Sequence, residues 1–281
     1  RDSGWLQLFA ETNQEALDLH IQAFRLAEEL SLPVMVCMDG FILTHAYERV
    51  DVPTQEQVDA YLPPYVPRQV LDPDEPVSIG AMVGPEAFME VRYLAHAKQL
   101  QALERMPAFA AEFKAIFGRH SGGLCHTYHA DNADTMIVAM GSVLGTIKDV
   151  VDEMRDAGHK VGVLGITLFR PFPIDRVRAA LRHAKRVVVL EKSLAVGLGG
   201  ILATNVRMAL SALPVDVYTV VAGLGGRPIT MRSLHALFRK AEKDELDAVT
   251  FLDLNRAVVD KQLAREKLTR LMGLWGAQTR F

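Results

Sequence analysis

One stretch of the sequence decides the fold: residues 134–191 read DTMIVAMGSVLGTIKDVVDEMRDAGHKVGVLGITLFRPFPIDRVRAALRHAKRVVVLE. Its apolar residues form three short runs, at 136–140, 161–168 and 187–190, and amphipathic helical patterns separate them. Short runs that are apolar on both faces and alternate with helices indicate parallel sheets with helices on both faces. We therefore predict an α/β fold, in which the functional loops lie at the carboxyl ends of the strands. These loops contain Gly141-Ser142, Arg170–Pro173 and Glu191–Gly200.

The chain before this stretch begins with a second α/β pattern. Residues 6–10 predict a short strand, and Thr12 with Glu15 forms the capping box of a helix that runs to Leu30. The apolar run 34–38 follows and predicts a fully buried strand. A strand–helix–strand unit of this kind has parallel strands and a right-handed crossover.

A proline-rich connection and a long helix separate the two α/β patterns. Residues 51–76 contain six prolines, which predict a surface linker with one short helix near 55–61. Residues 77–83 are weakly strand-like, and residues 86–117 have a helical pattern that Pro107 interrupts. We expect this helix to pack as an arm against a neighbouring domain or subunit. The predicted regions are an α/β unit, a linker with a helical arm, a second α/β unit and a helical tail, at residues 1–65, 66–133, 134–245 and 246–281.

Composition excludes several classes of function. The formal net charge of −3 gives no general attraction to nucleic acid or to acidic membranes, and no apolar run approaches the roughly 18 residues that span a bilayer. The two cysteines lack a C-x-x-C spacing, so the chain cannot supply the thiolates of an iron–sulfur cluster or of a Cys-rich zinc site. Cys37 lies in an apolar run and is expected to be a buried thiol, and low cysteine usage fits a reducing cytoplasm. Because the chain opens on Arg1, without an initiator Met or a signal-peptide pattern, we expect a further segment upstream.

Asp39 and His45 are the first candidates for a catalytic role. They follow the strand predicted at 34–38, and an aspartate with a histidine can form an acid–base pair. The structural alternative is that Asp39 holds its own turn by side-chain hydrogen bonds.

Ser142 and Glu191 also follow predicted strands. Ser142 lacks the G-x-S-x-G context of a nucleophile, and its position favours a cap on the next helix. Glu191 ends a buried strand, where a carboxyl group is either functional or paired with Lys192 or Arg170.

Two further patterns have both a binding and a structural interpretation. His126, His129 and Asp131 are metal-ligand types, but they also suit a polar loop before the next strand. The glycine clusters at 197–200 and 223–226 can bind phosphate at a helix start, or they form tight turns and allow close helix packing. Neither cluster completes the G-x-G-x-x-G pattern, and the Gly-Asp-Gly segment of metal–diphosphate sites is absent from the sequence.

Several motifs together resemble the alpha subunit of pyruvate:ferredoxin oxidoreductases. The matching segments are Arg1-Asp2-Ser3-Gly4-Trp5, Asn13-Gln14-Glu15-Ala16, Asp39-Gly40-Phe41-Ile42-Leu43-Thr44-His45, Gly141-Ser142 with Thr146-Ile147, Leu168-Phe169-Arg170-Pro171-Phe172, Glu191-Lys192-Ser193 with Gly199-Gly200, and Gly223-Leu224-Gly225-Gly226-Arg227. The resemblance covers residues 1–255, and the segment 191–200 looks more like the pyruvate branch than the 2-oxoglutarate branch.

This resemblance implies a domain assignment and an activity. Residues 1–65 would be the C-terminal half of a thiamine-enzyme pyrimidine-binding domain, and residues 134–245 a transketolase C-terminal-like domain. The family oxidatively and reversibly decarboxylates pyruvate to acetyl-CoA and carbon dioxide, with electrons passing to ferredoxin. The implied cofactors are thiamine diphosphate with Mg²⁺ and [4Fe–4S] clusters, with coenzyme A as co-substrate. The implied partners are beta, gamma and delta-type subunits.

The resemblance also places the family's catalytic threonine, glutamate and arginine segments upstream of residue 1. The diphosphate site and the clusters are therefore expected on other subunits or domains. For this chain we expect Asp39 and His45 near the active-site wall. The residues expected at domain or subunit contacts are Gly141, Ser142, Arg170 and Glu191. The alternatives are a sister enzyme for another 2-oxoacid, such as 2-oxoglutarate, and a non-catalytic interaction module with an inherited fold.

Overall fold

The fold comprises two sheets and the helices that cover them. The computed structural model describes residues 1–80 and 82–278, with side chains as far as residue 267. In chain order the elements are β1 Leu6–Phe9, α1 Asn13–Leu30, β2 Val34–Cys37, α2 Gln55–Tyr61, α3 Phe88–Phe117, β3 Cys125–Tyr128, β4 Thr135–Ala139, α4 Val143–Asp156, β5 Val161–Ile166, β6 Leu168–Arg170, α5 Ile174–Leu181, β7 Arg186–Glu191, α6 Ile201–Leu210, β8 Asp216–Val221, α7 Met231–Glu242, β9 Val249–Phe251 and α8 Arg256–Gln278.

The larger sheet has six strands in the order β3-β5-β4-β7-β8-β9. All neighbouring pairs are parallel except β3 with β5. Alternate residues of β4 enter different cores: Ile137 packs toward α4 and α7, whereas Met136 and Val138 pack toward α5 and α6. The predicted parallel sheet with helices on both faces is therefore confirmed.

The smaller sheet has three strands in the order β2-β1-β6. β1 and β2 pair in parallel across α1, which confirms the predicted strand–helix–strand unit. The prediction that residues 34–38 form a fully buried strand is wrong, because β2 is an edge strand and all of its residues are half-buried. Cys37 is correspondingly a half-buried thiol rather than a fully buried one.

One continuous segment of the chain contributes a strand to each of the two sheets. β5 ends at Ile166 in the larger sheet, and after Thr167 the chain enters β6, which pairs antiparallel with β1. Leu168 belongs to the core of the smaller sheet, and Phe169 belongs to a core of the larger sheet. The second predicted region therefore supplies an edge strand to the first, which sequence patterns did not indicate.

The long helix α3 differs from its prediction, because Pro107 lies inside it without ending it. The C-terminal half of α3 is buried against α1 and α2, where the Tyr61 hydroxyl donates to the Phe109 carbonyl oxygen at 3.2 Å. The guanidinium of Arg25 lies 4.5 Å from the Phe109 ring centroid. Upstream, the described residues of 77–83 form no strand, and residue 81 lies outside the description.

Of the segment before β4, Cys125–Tyr128 forms strand β3, whereas His129 and Asp131 lie in the expected polar loop. His126 Nε2 lies 3.2 Å from Glu11, and His129 Nε2 lies 3.1 Å from Asp152. Among the described side chains, at residues 1–80 and 82–267, no three metal-ligating groups converge, so the structure gives no support to a metal site at His126, His129 and Asp131.

The C-terminal region contains an additional strand. β9 at Val249–Phe251 extends the larger sheet beyond the predicted boundary at residue 245, and α8 then begins at Arg256. Residues 279–281 of the predicted tail lie outside the described part of the chain. No helix in that part combines the length and the apolar character needed to cross a membrane.

Candidate functional site

The carboxyl ends of strands from both sheets meet at one place. Asp39 follows β2 of the smaller sheet, while Ser142 follows β4 and Lys192 follows β7 of the larger sheet. Lys192 Nζ lies 2.7 Å from Asp39 Oδ1, and the Ser142 backbone N–H donates to Asp39 Oδ2 at 2.6 Å. The Ser142 hydroxyl also donates to Asp39 Oδ2. One carboxylate of the smaller sheet thus binds two loops of the larger sheet.

Gly141 allows this close approach. Its φ of +77° lies in the left-handed region, and a Cβ at this position would lie 2.9 Å from Asp39 Oδ2. Ser142 occupies the N-cap position of α4 but makes no side-chain cap of its own. Asp39 provides the acceptor at this helix start instead, and the positive end of the helix dipole favours its charge. The predicted Ser142 cap is therefore replaced by a cap from the other sheet.

The charge of Asp39 follows from these contacts. Burial alone would raise its carboxyl pKa, but hydrogen bonds from Lys192 and Ser142 outweigh it and hold that pKa below its ordinary value. Asp39 is therefore an anion at neutral pH, and both of its oxygens are occupied. A fixed anion of this kind positions groups and does not serve readily as a proton donor.

His45 does not pair with Asp39. Its ring stacks on Phe41 with centroids 4.5 Å apart, and its Nδ1 lies 2.9 Å from the Thr44 hydroxyl oxygen. Both rings are exposed on the loop after β2. The predicted acid–base pair is therefore absent, although the loop lies at the carboxyl end of its strand.

Glu191 caps α6 from inside the chain. The carboxylate, with 3 % of the residue exposed, accepts from the backbone N–H groups of Ile201 at 2.6 Å, Leu202 at 2.8 Å and Ala203 at 3.2 Å. The expected ion pair with Lys192 or Arg170 is wrong, because backbone amides satisfy this charge.

The glycine cluster at 197–200 therefore has a structural explanation. A Cβ on Gly200 would collide with Glu191 Oε1, so the glycine permits the approach of the carboxylate to the helix. Because Glu191 already occupies the amides at the start of α6, a phosphate group has no free anchoring groups there.

Arg170 lies where β6 joins the smaller sheet. Its backbone pairs with Gln7, and its Nη1 donates to the Phe169 carbonyl oxygen at 2.8 Å. Its Nη2 lies 3.5 Å from Asp2, and burial lowers the pKa of its guanidinium. Arg170 is therefore positioned at the contact between the two sheets.

A second ionic contact joins the sheets at Glu11, which follows β1. Lys148 Nζ of α4 lies 2.5 Å from Glu11 Oε1, and His126 of β3 approaches the other oxygen. Burial acts to raise the carboxyl pKa of Glu11, but the contact with His126 and the hydrogen bond from Lys148 hold it below its ordinary value. The sequence reasoning missed this contact, and also Lys192 as the partner of Asp39.

A cleft of about 320 Å³ lies beside the Asp39–Lys192 pair. Its polar lining includes Arg1, Gln7 and Ser193, and its apolar lining includes Phe9 and Phe169. The cleft opens at the carboxyl ends of the strands, where ligands bind in α/β proteins. Its volume falls within the range of small-molecule sites.

The described residues do not fit Mg²⁺ or an iron–sulfur cluster. No three metal-ligating side chains are grouped among those described, which end at residue 267 and leave out residue 81. The two cysteines of the sequence lie on different sheets. A metal–diphosphate group or a cluster would therefore need ligands from outside this part of the chain.

Two family models match this chain, one over each of its α/β regions. The family model described as "Pyruvate flavodoxin/ferredoxin oxidoreductase, thiamine diP-bdg" matches residues 1–110. The model described as "Pyruvate:ferredoxin oxidoreductase core domain II" matches residues 133–234.

Curated relatives agree with these family models. The chain is 41 % identical over 256 residues to pyruvate synthase subunit PorA of Methanothermobacter thermautotrophicus, covering 90 % of this chain and 66 % of that protein. It is 41 % identical over 268 residues to the PorA of Methanosarcina barkeri, covering 92 % and 67 %. Ketoisovalerate oxidoreductase subunit VorA of Pyrococcus horikoshii is 35 % identical over 246 residues, with 86 % and 62 % covered.

A solved structure supports the fold. The 2-oxoglutarate:ferredoxin oxidoreductase of Magnetococcus marinus matches with a TM-score of 0.55 and 15 % identity, covering 88 % of this chain and 43 % of that chain. The chain spans about two thirds of the length of the pyruvate synthase subunits that it matches. On the family models and the identity to these subunits, the chain belongs to the pyruvate:ferredoxin oxidoreductase alpha-subunit family.

Proposed function

We propose that this chain is the alpha subunit, or part of it, of a pyruvate:ferredoxin oxidoreductase. The enzyme would convert pyruvate and coenzyme A reversibly to acetyl-CoA and carbon dioxide and pass the electrons to ferredoxin. The observation that carries the proposal is the 41 % identity to pyruvate synthase subunits, which extends over both sheets. The lower identity of 35 % to a ketoisovalerate oxidoreductase subunit favours pyruvate over a branched 2-oxoacid.

The proposed cofactors would be held mainly by other subunits or domains. These are thiamine diphosphate with Mg²⁺ and [4Fe–4S] clusters, and coenzyme A would be the co-substrate. Thiamine diphosphate, when bound, supplies the electron sink that 2-oxoacid decarboxylation needs. The beta, gamma and delta-type subunits and ferredoxin would be the partners, in the cytoplasm.

The chain's own residues would shape one wall of the active site. Asp39 would fix the loops that follow β2, β4 and β7, since its carboxylate binds Ser142 and Lys192. His45 would face the site from the exposed loop after β2. A fixed network of this kind holds reacting groups in place without taking part in bond making.

The remaining predicted contact residues have related roles in this proposal. Gly141 and Ser142 would hold the two sheets together, and Arg170 would act at their junction or against a further subunit. Glu191 is buried, so it would support a subunit contact indirectly, by fixing the loop 192–200 to the start of α6.

Isolation of the complex through an affinity tag on this chain tests the proposal. Native mass spectrometry would identify the partner subunits, and iron and thiamine would be assayed on the same sample. Ferredoxin reduction would then be measured with coenzyme A and pyruvate, 2-oxoglutarate or 3-methyl-2-oxobutanoate.

The outcomes separate the candidates. Partner subunits with iron, thiamine and a preference for pyruvate would support the proposal. A preference for another 2-oxoacid would replace pyruvate and keep the enzyme class. A lone chain with neither cofactor would favour a non-catalytic interaction module.

A further inference from the structure

A polar cleft of about 290 Å³ lies between the start of α1, the segment after α3, strand β3 and helix α4. None of the first ten residues of the chain lines it, and all of its lining residues fall between Glu11 and Lys148. It is also separate from the cleft beside Asp39 and Lys192, because the two clefts have no lining residue in common.

Three carboxylates and two fixed cations line this cleft. Asp18 is paired with Arg119, whose Nε and Nη2 donate to its two oxygens at 2.9 and 2.6 Å. Glu11 is paired with Lys148, whose Nζ lies 2.5 Å from Glu11 Oε1. Glu15 has no salt bridge to a cation in the described part of the chain, and its carboxylate accepts from the Glu11 backbone N–H at 2.7 Å. The cleft therefore contains one more carboxylate than fixed cations.

Glu15 is the carboxylate that lacks this compensation. Burial raises its carboxyl pKa, and the charge of Glu11 acts in the same direction. The two histidines of the cleft do not offset these effects, because His126 Nε2 lies 3.2 Å from Glu11 Oε2 and His120 is exposed. A small cation beside Glu15 would oppose both effects and keep this carboxylate ionised.

A buried hydroxyl in the same cleft lacks a hydrogen-bond partner. Ser121 lines the cleft with 5 % of the residue exposed, and its Oγ has no partner among the described residues. The same holds for Oε1 of Gln22, which is fully buried and whose Nε2 donates to the Ser121 carbonyl oxygen at 3.2 Å. Because buried polar atoms are almost always satisfied, two such oxygens on contacting residues indicate a ligand that accepts their lone pairs.

We propose that this cleft binds a monovalent cation of the size of K⁺, between the Glu15 carboxylate and the Ser121 hydroxyl. One carboxylate without a counter-ion requires one positive charge, and carboxylate, hydroxyl and amide oxygens are the ligands that hard cations prefer. A divalent ion is disfavoured, because no three histidine, cysteine or carboxylate side chains converge among those described, at residues 1–80 and 82–267. Ammonium, which has the same charge and a similar size, would use the same oxygens as hydrogen-bond acceptors.

A cation at this position would strengthen the junction between the two sheets. The Glu15 carboxylate holds the backbone of Glu11, and the Glu11 side chain contacts Lys148 of α4 and His126 of β3. The ion would therefore stiffen both the start of α1 and the contact of this loop with the larger sheet. None of these residues belongs to the proposed active-site wall, so the cation site is independent of the proposed function.

Hydrogen exchange on the complex isolated through this chain tests the proposal. Exchange is measured in potassium chloride and in choline chloride at the same ionic strength, since the methyl groups of choline keep its charge away from oxygen ligands. Ammonium chloride is the third salt. The readout is the exchange rate of the backbone amides at 11–15 and 119–123, expressed for each protein as a ratio between two salts.

We expect about 100 mM potassium to slow this exchange about ten-fold relative to choline, which corresponds to a dissociation constant of about 10 mM. Protection by ammonium as well would show that charge and size suffice, whereas protection by potassium alone would show metal coordination. Either result supports the proposal.

Two variants and a matched control locate the cation. Glu15→Gln should abolish the difference between potassium and choline, because it removes the charge and keeps an acceptor for the Glu11 backbone. Ser121→Ala should reduce the difference, and it removes only a hydroxyl that has no partner among the described residues. Glu56→Gln should retain the full difference, because Glu56 is an exposed residue of α2 that does not line the cleft.

Equal exchange of the unmodified complex in potassium and in choline would overturn the proposal and would indicate that Glu15 holds a proton in place of a cation. A potassium effect that stayed unchanged in both Glu15→Gln and Ser121→Ala would also overturn it, because the ion would then bind elsewhere in the complex. Each comparison is a ratio within one protein, so a variant of lower stability still reports on the cation.

Discussion

The Asp39 carboxylate accepts a hydrogen bond from the Ser142 backbone N–H at 2.6 Å, so an acid of the smaller sheet caps the first helix after β4 of the larger sheet. The same carboxylate binds Lys192 at 2.7 Å. The two residues that it joins, Ser142 and Lys192, follow neighbouring parallel strands. The contact therefore fixes the relative position of three loops with one side chain.

Asp39→Asn should destabilise the chain. The amide keeps the shape but loses the charge, so Lys192 and the helix start lose their counter-ion. We expect a loss of about 2 kcal/mol in the free energy of unfolding, measured by denaturant titration. Asp74→Asn is the control, because Asp74 is exposed and its carboxylate makes no hydrogen bond or ion pair with the described residues. Equal stability of the two variants would contradict the structural role of Asp39.

The stability gap between the unmodified chain and Asp39→Asn should depend on pH. The carboxyl pKa of Asp39 is lowered in the folded state, so the unfolded state binds more protons as pH falls. The contribution of Asp39 is therefore complete above the ordinary aspartate pKa of about 4 and is lost as pH falls below it. Thermal unfolding between neutral and acidic pH should show the gap closing.

Glu15 does not affect that comparison. Burial raises its carboxyl pKa, so it acts in the opposite direction, but it does so equally in both proteins and cancels. A gap that stayed constant down to acidic pH would show that Asp39 acts through its shape and not its charge.

Gly141→Ala should be more destabilising than its backbone angle alone explains. A side chain at positive φ costs about 1–2 kcal/mol. The new Cβ would also lie 2.9 Å from Asp39 Oδ2 and would push the carboxylate off Ser142. Gly118→Ala is the matched control, because Gly118 has a φ of +74° and no atom within 4 Å of its Cβ position. Equal losses in the two variants would exclude the collision with Asp39.

Glu191→Gln should loosen the start of α6. The glutamine amide keeps one acceptor but loses the charge that three backbone N–H groups share, so we expect a loss of about 1–2 kcal/mol. Hydrogen exchange at Ile201–Ala203 should become faster, whereas exposed Glu245→Gln should leave it unchanged. Impaired subunit assembly with normal exchange would show instead that Glu191 acts at a subunit interface.

His45→Ala tests the proposed active-site wall. In the assembled enzyme, turnover should fall more than about ten-fold if His45 contacts the reacting groups. Removal of the ring also exposes the stacked face of Phe41, so thermal stability must be measured beside turnover. Exposed His183→Ala serves as the control. Unchanged turnover with unchanged assembly would remove His45 from the site.

Local patterns in the sequence predicted the local elements well. The helix around residues 55–61 forms as α2 at Gln55–Tyr61, and Thr54 caps it through a complete capping box. Thr12 likewise caps α1, but Glu15 reaches the backbone N–H of Glu11 in place of the N-cap N–H. Such elements depend on side chains within a few residues of one another, which a sequence pattern records directly.

The position of a strand within its sheet and the continuation of a helix through a proline were harder to predict from the sequence. Pro107 was expected to interrupt α3, yet packing of Met106, Phe109 and Phe113 in the core holds the helix through it. β2 has the apolar composition of a buried strand but lies at the edge of its sheet. Composition alone does not tell which strand will have a neighbour on each side.

The sequence by itself determined the α/β class, the alternation of strands with helices that gives parallel sheets, and the family to which the chain belongs. The tertiary structure alone decided that β6 joins β1, that Asp39 binds Ser142 and that Glu191 caps α6. Asp39 and Ser142 are 103 residues apart in the chain, and no local period links them. Contacts of this kind form because two sheets bring the carboxyl ends of their strands together and leave a half-buried carboxylate that needs donors.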